Sequence, residues 1–359
     1  MPFDARAPAD ARHLRDRRHV ALWLLVLCGM ILVMVALGGA TRLTGSGLSI
    51  MEWAPLRGTL PPLTEAEWNR LYTLYRQIPQ YELVNKGFGL AGFKEIFWLE
   101  WAHRLWGRLI GLAFIVPLAV LWWRGAVPHA LVPRLLGLFV LGGLQGAVGW
   151  FMVASGFLPE SIAVSPYRLV VHLGLALVLY AALLWTALGL LRPVQVAGPR
   201  VLVRATAIGV ALTILAGGFV AGLKAGLDYN TFPLMGGAMV PDGYARLSPF
   251  LLNWVENISA VQFNHRLLAT LTLALAAASL FSGWRSPARP MLLALAGTIG
   301  VQYVLGIATL VHVVPVGLGT AHQAMAVLVL TAALVALYRG GVASDRPARD
   351  DADIRNTGP

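Results

Sequence analysis

Four histidines stand near the starts of long apolar runs: His103 in "AHRLWG", His172 in "VVHLG", His265 in "NHRLLA" and His322 in "AHQAM". An imidazole in such a run is costly unless it is hydrogen-bonded or ligating. Two imidazoles at equal depth on parallel helices can approach a flat ring from opposite faces, as axial ligation of a haem requires. Zinc would need more nitrogen, sulfur or carboxylate ligands around one point. The pairs His103/His172 and His265/His322 therefore suggest two haem sites. Glu100 lies three residues before His103 on the same helix face, whereas the position before His265 is Gln262. A carboxylate beside only one of two matched sites is the expected place for acid–base or charge-stabilising chemistry. The competing readings are an i,i+4 ion pair with Arg104 and simple placement at the water interface. Arg104 and Arg266 follow their histidines, and Arg108 lies a turn beyond Arg104. Their guanidinium groups would meet haem propionates or snorkel to lipid headgroups. His13, His19 and His129 fall in basic or Pro-flanked loops, and His312 ends the seventh run with no counterpart in the first half.

These residues need membrane helices to position them. Apolar stretches of spanning length fall near 20–40, 101–123, 133–154, 168–191, 201–222, 263–283, 290–312 and 317–338. The four histidine-bearing runs are the even-numbered ones. One set of connections carries Arg12, Arg15, Arg17, Arg18, Arg124, Arg134, Arg192, Arg200, Arg204, Arg285, Arg289, Arg339, Arg346 and Arg349. The opposite set comprises two long loops of mixed sign, 41–99 and 223–262, and two short ones with little charge. By the positive-inside rule both termini are cytoplasmic, and the four histidines lie toward the outer, periplasmic face of a bacterial inner membrane. Within the first long loop, "LTEAEWNRLYTLYRQIP" carries Thr64 and Glu67 at capping-box spacing and predicts a short amphipathic helix.

The chain also repeats itself. "GGATRLTGSGLSIMEWAPLRGTLPP" from Gly38 and "GGFVAGLKAGLDYNTFPLMGGAMVP" from Gly217 align without gaps at Gly38/Gly217, Gly39/Gly218, Gly47/Gly226, Leu48/Leu227, Gly58/Gly237 and Pro62/Pro241. Further on, Gln145 and Gly149 answer Gln302 and Gly306. The expected architecture is an all-α integral membrane protein of eight transmembrane helices in two pseudo-symmetric four-helix bundles. A basic tail (1–19) leads into the first half (20–191). A linker (192–200) joins it to the second half (201–339), and a disordered tail (340–359) follows.

Composition agrees. The 359 residues are 57% hydrophobic and 13% charged, about half the charge of a typical soluble domain. The net charge of +11 fits orienting loops in a lipid bilayer and not nucleic acid, because no basic block is interleaved with aromatics. The single cysteine, Cys28, excludes a disulfide within the chain and any Cys-based zinc or iron–sulfur site. The first apolar run is long enough to span and lacks a small-residue cleavage site, so it is expected to be retained.

Five ordered segments, "GGATRLTGSGLSIMEW", "LEWAHRLWGRLIG", "GLKAGLDYNTFPLM", "FNHRLLA" and "AHQAMAVLVL", resemble the haem A synthase family in its proteobacterial and mitochondrial form. The resemblance implies oxidation of the C8 methyl of haem O to a formyl group by successive hydroxylations, giving haem A for terminal oxidase assembly. It also implies a resident haem b at His265 and His322, substrate haem O at His103 and His172, and the acid at Glu100. Some family members carry a cysteine pair in an outer loop; this chain has none. Haem O synthase and cytochrome oxidase assembly factors are the partners the resemblance implies, and a homo-oligomer is left open. Two other readings stand beside it: a di-haem membrane cytochrome b for electron transfer, and a haem transporter or chaperone. The first predicts haems at opposite depths, and the second needs no Glu100.

Overall fold

Residues 6–159 and 161–340 are described in the computed structural model of the chain. Of the expected tails at 1–19 and 340–359, residues 1–5 and 341–359 fall outside them, and 6–19 are the start of α1. Eight helices are long and apolar enough to cross a membrane. They are α1 (Arg6–Leu43), α4 (Gly89–Trp123), α5 (Val132–Ala154), α6 (Pro166–Leu191), α7 (Arg200–Gly222), α8 (Ile258–Ser282), α9 (Arg289–Val311) and α10 (Val316–Arg339). Two short helices, α2 (Glu65–Tyr75) and α3 (Pro79–Leu83), lie between α1 and α4, and no β-strand occurs among the described residues. A chain in hydrocarbon must satisfy its backbone polar groups internally, and helices do so within one segment. The protein is a multi-pass membrane protein.

Helix packing forms two rings. In the first, α1 contacts α4 and α6, and α5 contacts α4 and α6; in the second, α8 contacts α7 and α9, and α10 contacts α9 and α7. The rings meet where α1 lies on α10, α6 on α7, and α6 on α10. A single apolar core runs through both and includes Leu24, Leu27, Leu135, Leu183, Val210, Leu292, Leu295 and Ala333. Lipid is as apolar as leucine, so close packing and interhelical hydrogen bonds hold the helices together, the latter at ~0.6 kcal/mol each on average. Such bonds join α1 to α4, from Trp23 Nε1 to the Ala113 carbonyl and from Trp106 Nε1 to the Met30 carbonyl, both at 2.8 Å. Tyr180 and Thr331 hydroxyls, 2.7 Å apart, join the rings.

Helix ends follow local chemistry. Thr64 Oγ1 accepts from the Glu67 amide at 3.2 Å and caps α2 as its spacing predicts. α1 closes with the Ser46 amide on the Thr41 carbonyl (2.9 Å) and the Gly45 amide on the Arg42 carbonyl (3.2 Å), with Gly45 at φ +69°. This paired closure needs a left-handed residue, which glycine adopts without a Cβ penalty. The aligned position in the second half, Lys224, is left-handed too, at φ 55°.

α4 differs from its sequence reading. The apolar run starts near residue 101, but the helix starts at Gly89, so His103 sits several turns inside it and not in an opening turn. The extension is held from outside the span: Phe93, Ile96 and Phe97 pack with Trp68, Leu71, Tyr75, Ile78, Tyr81 and Leu48 in a second apolar cluster. Its anchor to the exit of α1 is Gln80, whose Nε2 donates to the Gly45 carbonyl at 3.0 Å.

Candidate functional site

In each ring, two helices present an imidazole and two others present a glycine against it. A Cβ added at Gly38 on α1 would stand 3.0 Å from His103 Cε1, and one at Gly149 on α5 would stand 2.8 Å from His172 Cε1. In the second ring, a Cβ at Gly217 on α7 would lie 3.0 Å from His265 Cε1, and one at Gly306 on α9 would lie 2.9 Å from His322 Cε1. Any larger residue would displace the ring. The glycines Gly38, Gly149, Gly217 and Gly306 are therefore seats for the histidines. Gln145 Nε2 donates to the backbone carbonyl of His172, and Gln302 Nε2 to that of His322, each at 3.0 Å. These bonds tie α5 to α6 and α9 to α10 at the level of the imidazoles.

His103 on α4 and His172 on α6 belong to the first ring, and His265 on α8 and His322 on α10 to the second. His265 Nδ1 faces the Thr213 carbonyl at 3.1 Å, a contact that fixes its ring and directs Nε2 away from that bond. Nδ1 of His103, His172 and His322 is buried without a protein partner. Among the described residues, no three His, Cys, Asp or Glu side chains converge on one point, so the donors come in pairs. Paired imidazoles held on glycine seats suit a flat macrocycle better than a tetrahedral ion.

Beside the first pair, Glu100 is 3% exposed and makes contacts along its whole carboxylate. Oε1 accepts from Arg104, with Nε at 3.0 Å and Nη2 closer; Oε2 accepts from Ser49 Oγ at 2.7 Å and from the Ile50 amide at 2.9 Å. The i,i+4 ion pair with Arg104 weighed from the sequence is thus present. Arg104 also donates to the carbonyls of Ile50 (2.7 Å) and Glu52 (2.8 Å), and Trp150 covers it, with the guanidinium carbon 5.6 Å from the ring centroid. Trp53 stacks on Trp150 at 6.1 Å.

The second pair has the same clamp with one change. Arg266 donates to the carbonyls of Tyr229 (2.6 Å) and Thr231 (2.8 Å), which align with Ile50 and Glu52 by the offset that relates Gly38 to Gly217. It also donates to Gln262 Oε1 at 2.8 Å. The Gln262 amide then donates to the carbonyls of Ala225 and Asp228, each at 2.6 Å. Where Glu100 receives hydrogen bonds from the loop, Gln262 gives them.

Arg108 donates to the carbonyls of Pro55 (2.8 Å) and Ala54 (2.9 Å), and its Nη1 is buried without a partner. Arg266 Nε is likewise buried and unpartnered. His312 lies apart from both pairs, exposed at the end of α9, with Nδ1 2.8 Å from the Ala308 carbonyl of its own helix. Outside the spans, Arg70 bridges Glu52 and Glu67, and its hydrogen bonds hold both carboxyls below their ordinary values. The residues that sequence reading does not assign to the site are Ser49, Trp150 and the four glycines. Recurrence of Gly38/Gly217 and Gly149/Gly306 was the signal available for the glycines; Ser49 has none, because its aligned partner is Asp228.

Comparison with known proteins adds an independent line. The model of the COX15-CtaA family, described as cytochrome oxidase assembly protein, matches residues 21–334. A relative named heme A synthase from Granulibacter bethesdensis is 60% identical over 331 residues, 90% of this chain and 88% of the relative. Relatives of the same name from Methylobacterium sp. and Rhodospirillum centenum are 48% and 51% identical. They cover 92% and 88% of this chain and 94% and 86% of their own lengths.

Proposed function

The chain belongs to the COX15-CtaA family, which includes the haem A synthases, and from that premise we propose that it converts haem O to haem A by oxidising the C8 methyl to a formyl group in successive hydroxylations. It thereby acts as an oxidoreductase on a CH group. The observation that carries this reading is the duplicated histidine seat with a carboxylate in only one copy: Glu100 against Gln262.

In this reading His103 and His172 bind the substrate haem O, and His265 and His322 hold a resident haem b. The residues fit such groups: both pairs rest on glycines that leave room only for the imidazole, and three of the four rings keep a buried Nδ1 without a protein partner. His265 and His322 would hold that haem, which would supply one-electron redox chemistry when bound. Glu100 holds negative charge at Oε1 and Oε2 where charge develops near the reacting methyl. Its Arg104, Ser49 and Ile50 contacts keep it from swinging away. Arg108 and Arg266, each with a buried free donor, bind propionates, while Arg104 is largely engaged by Glu100 and the loop.

In this reading the histidine end faces the periplasm and both termini face the cytoplasm, an orientation supported by the arginine distribution. Haem O arrives from a haem O synthase, and haem A leaves for oxidase assembly. The test is production of the protein in cells that make haem O but no haem A, followed by pigment extraction. Haem A is expected from the wild type and not from Glu100→Ala, with haem still bound at both pairs. Full haem A production by Glu100→Ala would overturn the assignment of the acid.

A further inference from the structure

The two rings differ along one seam. α8 and α9 close on each other: the hydroxyls of Thr270 and Tyr303 lie 2.9 Å apart, and Tyr303 meets Phe232 edge-on at 6.2 Å. Ile299 is buried below them. The corresponding pair, α4 and α5, approaches far less closely. In the register that aligns Gln145 with Gln302 and Gly149 with Gly306, Tyr303 falls on Gly146 and Ile299 on Gly142. In the register that aligns His103 with His265, Leu273 falls on Gly111. A Cβ at Gly146 or at Gly111 would meet nothing within 4 Å. Toward the far end the sizes reverse: Phe114 and Phe139 pack at 5.5 Å, whereas the second ring has Ala276 and Ala296 at the aligned positions. The phenylalanine pair stands between α4 and α5 like a wedge, and above it the seam is lined by glycine.

This opening leads to the first histidine pair. Gly149, one turn from Gly146, is the seat of His172, whose Nδ1 is buried and unpartnered. Arg108, which aligns with Thr270, reaches the outer loop at Ala54 and Pro55 and keeps a buried Nη1 without a partner. Beside Gly111 and Gly146, Leu112 and Leu144 are exposed, on a surface that faces hydrocarbon.

We propose that the α4–α5 seam is a lateral opening that takes the isoprenoid tail of haem O from the bilayer while the macrocycle lies between His103 and His172. The inference rests on the assignment of haem O to that pair. An apolar prenyl chain belongs in lipid or among side chains, and a bundle closed as α8–α9 is closed has no path for it. The same closure suits a resident haem that has no such tail and is not exchanged.

The experiment uses the full chain in lipid nanodiscs, with haem O and haem b as probes; haem b lacks the prenyl chain. Gly146→Tyr copies the second ring into the first. Binding of haem O at the His103-dependent site is expected to weaken at least about tenfold, with haem b binding there held within about twofold. The spectrum of the haem at His265/His322 reports that the fold is intact. Gly146→Leu, a smaller intrusion, should give an intermediate loss for haem O alone. Unchanged haem O binding in both variants would overturn the proposal and leave the seam to ordinary acyl chains. Equal loss of both probes would also overturn it, because the substitution would then act on the macrocycle. If the wild type binds no haem O that His103→Ala abolishes, the proposed function itself fails. If it does, and Gly146→Tyr binds haem O equally well, only the seam assignment fails.

Discussion

The first and second rings carry the same frame and different contents. Both seat two imidazoles on glycines, both tie one histidine carbonyl with a glutamine amide, and both clamp the exit loop with an arginine after the other histidine. They part at three places: Glu100 against Gln262, Gly146 against Tyr303, and an outer loop folded around α2 against one without such a cluster. The shared parts position a flat ligand. The differences put an acid, a looser α4–α5 seam and a folded outer loop on one ring only, and the proposed split between a resident group in one copy and a substrate in the other rests on them.

The sharpest way to break this comparison is to erase its chemical difference. Glu100→Gln makes the first clamp resemble the second and is expected to lower haem A formation by about a hundredfold or more, the scale of a lost acid–base or charge-stabilising group. Product quantification in membranes checks it, and activity within a few-fold of wild type would make Glu100 only a strut for the loop.

The reverse exchange tests the second clamp. In Gln262→Glu a carboxylate oxygen replaces an amide that donates at 2.6 Å to two carbonyls. The mutant should lose about 1–3 kcal/mol, because two acceptors are left without a donor and face negative charge. A fall in the thermal midpoint of haem loss from the second pair would report this. A midpoint equal to wild type would mean that the loop simply moves away.

Gln145→Leu and Gln302→Leu probe what the rings share. Each removes one 3.0 Å bond to a histidine carbonyl, and Gln145→Leu also removes a 3.4 Å contact with His172 Nε2, so each should cost about 1 kcal/mol, with Gln145→Leu the larger loss. A larger loss for Gln302→Leu in paired thermal denaturation would show that the shared frame is loaded on the second ring.

The smallest effect lies in the outer loop of the first ring. Arg70 keeps the Glu52 carboxyl below its ordinary value by a direct hydrogen bond. A carboxyl depressed on folding stabilises above its unfolded pKa and loses that contribution as pH falls through the folded one. Glu52→Gln should therefore cost little above pH 5, under about 1 kcal/mol for a pair this exposed, and nothing in acid. Proteolytic susceptibility of the 41–88 loop against pH measures it.

Much of the architecture was legible from residue order because hydrocarbon permits so few solutions. The length of apolar runs marks eight spans, and the ordered repeat aligns their histidines in pairs. The Glu100/Gln262 contrast is visible in that alignment without coordinates. The start of α4 was not legible, because residues 89–100 are held in helix by contacts with α2 and not by their own hydropathy. Nor were the partners of Glu100: Ser49 and Ile50 lie some fifty positions away, and the turn at Gly45 delivers them.

The sequence by itself determined the number of crossings, the histidine pairs and the unmatched acid, since these depend on residue type and spacing along one helix. Tertiary structure alone decided what each of them touches. Whether a glycine is a seat beneath an imidazole, as Gly149 is, or borders open space, as Gly146 does, depends on which helix crosses over it and how closely. Residues three apart on one helix face different neighbours, and only the packing of whole helices sets those neighbours in place.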